Sequence, residues 1–174
     1  RLKVVSLNGT PVQNLSPLAG KRSLMSLDLT NTAVKKLPEL GDMPSMKELT
    51  LNGTRVRDLR PISGMRNLEE LQAANTRIST LRGLEGLTKL KSLRMHGSPV
   101  KSLEPLRGMT ALRSLQVDNS TVKNLAPLSG MTNLFELRLA ETAVSDLGAV
   151  ASLKALATLN LNGTPVSDLS PLEG

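Results

Sequence analysis

The chain has 174 residues, a formal net charge of +7, a single Phe and no Trp, Tyr or Cys. That length suffices for one domain with a real core, but a core without aromatics has to be assembled from many similar aliphatic side chains, which suits a repetitive architecture. The lack of Cys excludes disulfides, thiolate metal sites and a cysteine nucleophile, no apolar run approaches the roughly 18 residues of a membrane span, and the first residues do not read as a signal peptide.

The first predicted unit contains "LNGTPVQNLSPLAG" at residues 7–20, and the last ends in "LNGTPVSDLSPLEG" at residues 161–174, 154 positions later and so seven steps of 22. The same step holds throughout. Val12, Val34, Val56, Ile78, Val100, Val122, Val144 and Val166 form one column, and Leu15, Leu37, Leu59, Leu81, Leu103, Leu125, Leu147 and Leu169 another. Ahead of these, Leu24, Leu27 and Leu29 open a Leu-x-x-Leu-x-Leu pattern that recurs as Met46, Leu49 and Leu51 and ends as Leu156, Leu159 and Leu161. Its last two apolar positions are two apart, so they share one face of a short strand.

Asn-Gly-Thr then turns the chain, because Gly and Asn tolerate positive φ. The column before each Thr reads Gly9, Asn31, Gly53, Asn75, Gly97, Asn119, Glu141 and Gly163, and its Gly and Asn residues predict a left-handed or similar conformation. Glu141 breaks the column: either its turn changes shape, or it accepts strain to place a carboxylate beside the concave rim. In the closing "SPLEG", Ser170 is expected to cap, Pro171 to take a first helical position and Gly174 to stop a single turn, 3₁₀ rather than α. Each unit is therefore strand, turn, helical turn and return. Alone it cannot bury its leucines; stacked, the units share one core. The expectation is a single domain over residues 1–174, of about eight 22-residue repeats with the terminal caps missing. Uncapped end strands predict end-to-end self-association.

These motifs resemble a leucine-rich repeat array of the 22-residue class found in bacterial internalin-like proteins, and the resemblance covers the whole chain. It implies an α/β solenoid: a right-handed coil with a parallel β-sheet on the concave face and short 3₁₀ or helical turns on the convex face. It also implies a protein-recognition module and is compatible with a secreted or surface location. One column departs. The family usually has Asn at the ninth motif position, where this chain has Thr10, Thr32, Thr54, Thr76, Ser98, Ser120, Thr142 and Thr164. A hydroxyl can also bond the turn backbone, so a buried ladder of hydroxyls is expected in place of amides.

Catalysis finds little material. His96 is the only histidine, one His without Cys cannot form a typical zinc site, and "AGKRS" lacks the upstream Gly of a phosphate loop. No enzyme activity and no cofactor are expected. Outward strand positions are more informative. The end units carry small polar residues, whereas units four to seven carry Glu70, Gln72, Arg94, His96, Gln116, Asp118, Glu136 and Arg138, with Glu141 at the rim. Long hydrogen-bonding side chains gathered there predict a binding patch for a protein partner. Arg94 and Arg138 would fork onto carboxylates. A second set, Lys35, Arg57, Lys101 and Lys123, forms a basic edge beyond the strands, with Arg55 and Arg77 nearby; Lys3, Lys47, Lys91 and Arg113 form another where the strands begin. Such edges offer an alternative: a nucleic acid or other anionic surface. The lack of interleaved aromatics disfavours nucleic acid. A third reading makes the chain the targeting segment of a larger effector or enzyme.

Overall fold

The structure is a computed structural model that describes residues 2–37, 40 and 43–173. Eight parallel strands form one open sheet in sequence order: β1 Val4–Ser6, β2 Ser26–Asp28, β3 Glu48–Thr50, β4 Glu70–Gln72, β5 Ser92–Arg94, β6 Ser114–Gln116, β7 Glu136–Arg138 and β8 Thr158–Asn160. The register advances by one repeat per strand, so Leu27, Leu49, Leu71, Leu93, Leu115, Leu137 and Leu159 lie side by side. Each of these residues is the middle of a three-residue strand and points inward, while its two neighbours point to the concave face. From Leu27 to Leu137 they are fully buried, and burial of one such side chain contributes about 1.5–3 kcal/mol. Val5 and Leu159, on the outer strands, are only partly covered, with a neighbouring strand on one side only among the described residues. Met43, Met46, Met65, Met95, Met109 and Met131 fill the aliphatic core where aromatics would stand in other proteins.

Among the described residues six convex returns are 3₁₀ turns: the Pro-containing Ser16–Leu18, Arg60–Ile62, Glu104–Leu106, Ala126–Leu128 and Ser170–Leu172, and Gly148–Ser152, which has no Pro. The cap is not where the sequence placed it. Leu169, not Ser170, holds the N-cap position, and Asp168 Oδ1 accepts the Ser170 amide at 2.9 Å. Asn14, Asp58, Asn124 and Asp146 accept the amide two residues on in the same way. A short side chain bonding forward by two closes an Asx-type turn, so the signal was the Asn/Asp column one place before each Leu. The stop assigned to Gly174 lies outside the described residues. The fourth unit has Gly83 in the column where five others have Pro17, Pro61, Pro105, Pro127 and Pro171. There φ is +103°, and a Cβ would sit 2.6 Å from Leu59 O and 2.7 Å from the Arg60 backbone. Close approach to the preceding return selects Gly at this site.

The turn column behaves as its composition requires: Gly9, Asn31, Gly53, Asn75, Gly97, Asn119, Glu141 and Gly163 all have φ between 55° and 71°. The hydroxyl ladder holds in most units. Thr10, Thr32, Thr54, Thr76, Thr142 and Thr164 donate to the carbonyl three residues back, at 2.6–3.0 Å. Thr10 and Thr164, in the end units, are only partly buried. The two serines break the pattern. Ser98 reaches back a whole repeat, bonding Ala73 O at 2.9 Å and meeting Thr76 Oγ1 at 2.9 Å. Ser120 Oγ makes only a 3.5 Å contact with the Val122 amide. Without the Thr methyl, the serine hydroxyl is not held toward its own turn.

Candidate recognition surface

The concave face is built from the first and third residue of each strand plus the residue two further on. Glu70 is exposed on β4, opposite Glu48 on β3 in register. Gln72, Arg94, Gln116 and Arg138 stand in one row across β4 to β7. His96 is exposed just beyond β5, and Glu141 is exposed in the turn after β7. The predicted residues thus share one face, but most of them are engaged with each other or with backbone.

Glu136 is the most engaged. Its carboxylate accepts Ser114 Oγ at 2.7 Å and Gln116 Nε2 at 3.2 and 3.3 Å. Asp118 is 6% exposed and accepts the Ala140 amide at 3.0 Å, while its second oxygen lies 3.4 Å from Arg138 Nε. Asn52 has the same role nearer the N-terminus, accepting the Ala74 amide at 2.8 Å and donating to Gln72 at 3.3 Å. In both places a polar residue precedes an alanine in the next repeat, and the small side chain leaves the backbone amide open to it. Sequence reasoning missed Asn52 and Ser114. Their 20- and 22-residue separations from Gln72 and Glu136 were the available signal.

Arg94 differs from all of these. It is half-buried between Gln72 and Gln116, and its Nε is a buried side-chain nitrogen with no hydrogen-bond partner among the described residues. Arg138, by contrast, already faces Asp118 and keeps 44% of its side chain exposed.

The two basic edges are also unlike each other. Where the strands begin, Glu69 sits between Lys47 at 3.5 Å and Lys91 at 2.5 Å. The Lys91 hydrogen bond holds the Glu69 carboxyl below its usual range, and charge from Lys47 adds to it. That edge is partly neutralised. On the far edge Lys35, Arg57, Lys101 and Lys123 are exposed in one repeat column, with Ser79 between Arg57 and Lys101. Lys35 and Arg57 share a groove with Lys36, Arg55 and Arg77; Lys123 borders a separate hollow that contains Asp146. Among the described residues, no group of three or more His, Cys, Asp or Glu is arranged to hold a metal ion, and no helix is long and apolar enough to cross a membrane.

A family model described as "Leucine Rich repeats (2 copies)" matches residues 66–108. A search of curated proteins finds no match. Among solved structures, an internalin C2 of Listeria monocytogenes superposes with a TM-score of 0.96 at 28% identity, covering 98% of this chain and 76% of that one. An internalin F of the same organism gives 0.94 at 29% identity, with 98% and 50% covered. A leucine-rich repeat protein of Leptospira interrogans gives 0.89 at 22% identity, with 95% and 44% covered, a likeness of fold alone. The chain therefore spans half or less of the length of two of these three. Arrays of this kind are in general protein-interaction modules. Its eight-stranded parallel sheet, 3₁₀ returns and unbroken 22-residue register give this chain the leucine-rich repeat solenoid fold, and in that fold it is similar to the internalins.

Proposed function

We propose that the chain is a non-enzymatic recognition module that docks a protein partner on its concave face, with the contact centred on Arg94. The observation that carries this is the unpartnered, buried Arg94 Nε in a floor where the neighbouring polar side chains have found partners. An unmade bond at a buried donor costs about 1–3 kcal/mol, and a partner carboxylate entering between Gln72 and Gln116 removes that cost with a forked contact. Gln72, Gln116, Glu136 and Arg138 are already oriented by intramolecular bonds, so they present a rigid polar frame rather than a flexible one. Glu70, His96 and Glu141 are exposed around that frame and add polar complementarity. Asp118 serves by holding Arg138 and the Ala140 amide in place.

The test is affinity capture with the immobilised chain, run in parallel for wild type, Arg94→Ala and the convex-turn variant Arg107→Ala. A partner of the concave face is retained by wild type and Arg107→Ala and depleted at least tenfold by Arg94→Ala. Proteins retained equally by all three, with none lost at Arg94, would refute the concave reading.

A further inference from the structure

The groove on the far edge of units two to four is lined by Lys35, Lys36, Arg55, Arg57 and Arg77, encloses about 350 Å³, and has no acidic side chain among the described residues of its lining. All five side chains are exposed, and none makes a hydrogen bond or ion pair among the described residues. Some cations elsewhere are paired: Lys47 and Lys91 share Glu69, Arg60 is paired with Asp58 at 2.8 Å, and Arg107 with Glu104 at 2.7 Å, whereas Lys101 and Lys123 are as unpaired among the described residues as the five of the groove. The nearest carboxylate in sequence, Asp58, is turned toward Arg60 by two contacts from its Nε at 3.0 Å and by the backbone amide. Among the described residues the groove therefore keeps its charge unbalanced.

Its cations are also held in a fixed array. The Arg55 amide bonds Val34 O and the Arg77 amide bonds Val56 O, both at 3.1 Å, so the three loops are stitched together behind the strands. Arg55 and Arg57 stand two residues apart in one unit, and Arg55 and Arg77 stand one repeat apart, about 4.8 Å by the strand spacing. A lattice of positive side chains on a rigid edge meets a chain of regularly spaced anions, and guanidinium forks match tetrahedral oxyanions two oxygens at a time.

We infer that this groove is a second binding site, distinct from the concave face, for a linear polysaccharide carrying sulfate or phosphate esters. Two features select that class over other polyanions. The lining has no aromatic side chain, so single-stranded nucleic acid loses its stacking platform. It has no exposed apolar side chain to enter a lipid surface or to seat the apolar residues of a peptide. What remains is recognition by charge and forked hydrogen bonds alone, and a hydrophilic chain bearing ester anions supplies only those. The column Lys35, Arg57, Lys101 and Lys123 is not the site; its first two members are, together with Lys36, Arg55 and Arg77.

The experiment uses the 174-residue chain with dextran sulfate, a phosphorylated dextran, single-stranded DNA and vesicles containing anionic lipid. Wild type is expected to bind at least one charged dextran, weakening about a hundredfold between 50 and 200 mM salt if all five cations are engaged. Whichever dextran binds more tightly identifies the ester. The triple variant Arg55→Gln, Arg57→Gln, Arg77→Gln, whose positions are exposed, should keep its circular dichroism and unfolding temperature, lose at least tenfold in affinity and show a shallower salt dependence. Lys101→Gln with Lys123→Gln should bind like wild type. The inference is overturned if neither dextran binds, if the triple variant binds unchanged, or if the Lys101/Lys123 variant loses as much. It is also overturned if DNA or vesicles bind as tightly as the dextrans.

Discussion

The side chain of Asn75 lies over the α-carbon of Gly97, so that a Cβ at position 97 would stand 3.3 Å from Asn75 Cγ and closer still to its Oδ1. Asn31 covers Gly53 in the same way, and Glu141 covers Gly163. Gly9 has the same positive φ but no atom within 4 Å of a Cβ. Two causes for glycine can therefore be separated. Gly9→Ala should cost about 1–2 kcal/mol from the left-handed backbone alone, and Gly97→Ala about 1–3 kcal/mol more from overpacking. In an Asn75→Gly background the cost of Gly97→Ala should fall to that of Gly9→Ala. Equal costs for the two single variants in chemical denaturation would show that Asn75 moves aside freely.

Glu141 adopts φ 55° without being Gly or Asn. Glu141→Gly should relieve that conformation and raise stability by about 1 kcal/mol. If partner binding falls at the same time, the carboxylate at the rim contributes to recognition. If stability does not rise, the turn tolerates Glu at no cost.

Thr54 Oγ1 donates to Leu51 O at 2.7 Å in a buried turn, whereas Ser120 Oγ makes only the 3.5 Å contact. Thr54→Val should cost about 1–2 kcal/mol, and Ser120→Ala much less. Thr76→Val should fall between them, because Ser98 Oγ still reaches Ala73 O. Equal losses at positions 54 and 120 would remove the ladder as a source of stability.

Acid should weaken the fold. Bonds from Arg60 hold the Asp58 carboxyl below its usual range, bonds from Lys91 do so for Glu69, bonds from Arg107 for Glu104, and the Ser170 amide for Asp168. A carboxyl depressed in the folded state contributes stability that is present above its unfolded value and lost as pH falls through the folded one. The unfolding temperature should therefore drop from about pH 4.5 downward. Glu69→Gln should shrink the drop, as should high salt, since these pairs are exposed. A pH-independent unfolding temperature down to the acid limit would exclude this linkage.

The end units leave apolar side chains open: Leu2 and Val4 at one end, and Leu169 and Leu172 on the last convex return at the other. The 174-residue chain should self-associate with rising concentration, and Leu169→Lys with Leu172→Lys should reduce it. A wild-type chain that stays monomeric by light scattering at every concentration would contradict this.

The repeat carried most of this structure into plain view. Leu27 and Leu29 fix a strand face because backbone geometry repeats every two residues, and the Gly/Asn column fixes a turn because few residues accept positive φ. The convex caps were misplaced by two residues: Ser170 is a good helix cap in general, but Asp168 closes a tighter turn. The concave floor was legible as a surface and not as a network. Whether Gln116 turns to Glu136, or Arg138 to Asp118, depends on rotamers selected by neighbours 20 residues away. The basic edge was legible too, with Arg55 and Arg77 read as lying near Lys35 and Arg57, but not which of its cations share one groove.

That Arg94 is held unpaired for a partner can be measured without knowing that partner. Arg94→Met keeps the apolar stem of the side chain and removes the buried, unsatisfied Nε. Calorimetric unfolding of the free chain should show the variant as stable as wild type or more stable, by about 1 kcal/mol. A loss of about 1 kcal/mol or more would make Arg94 a member of the scaffold and contradict its role in recognition.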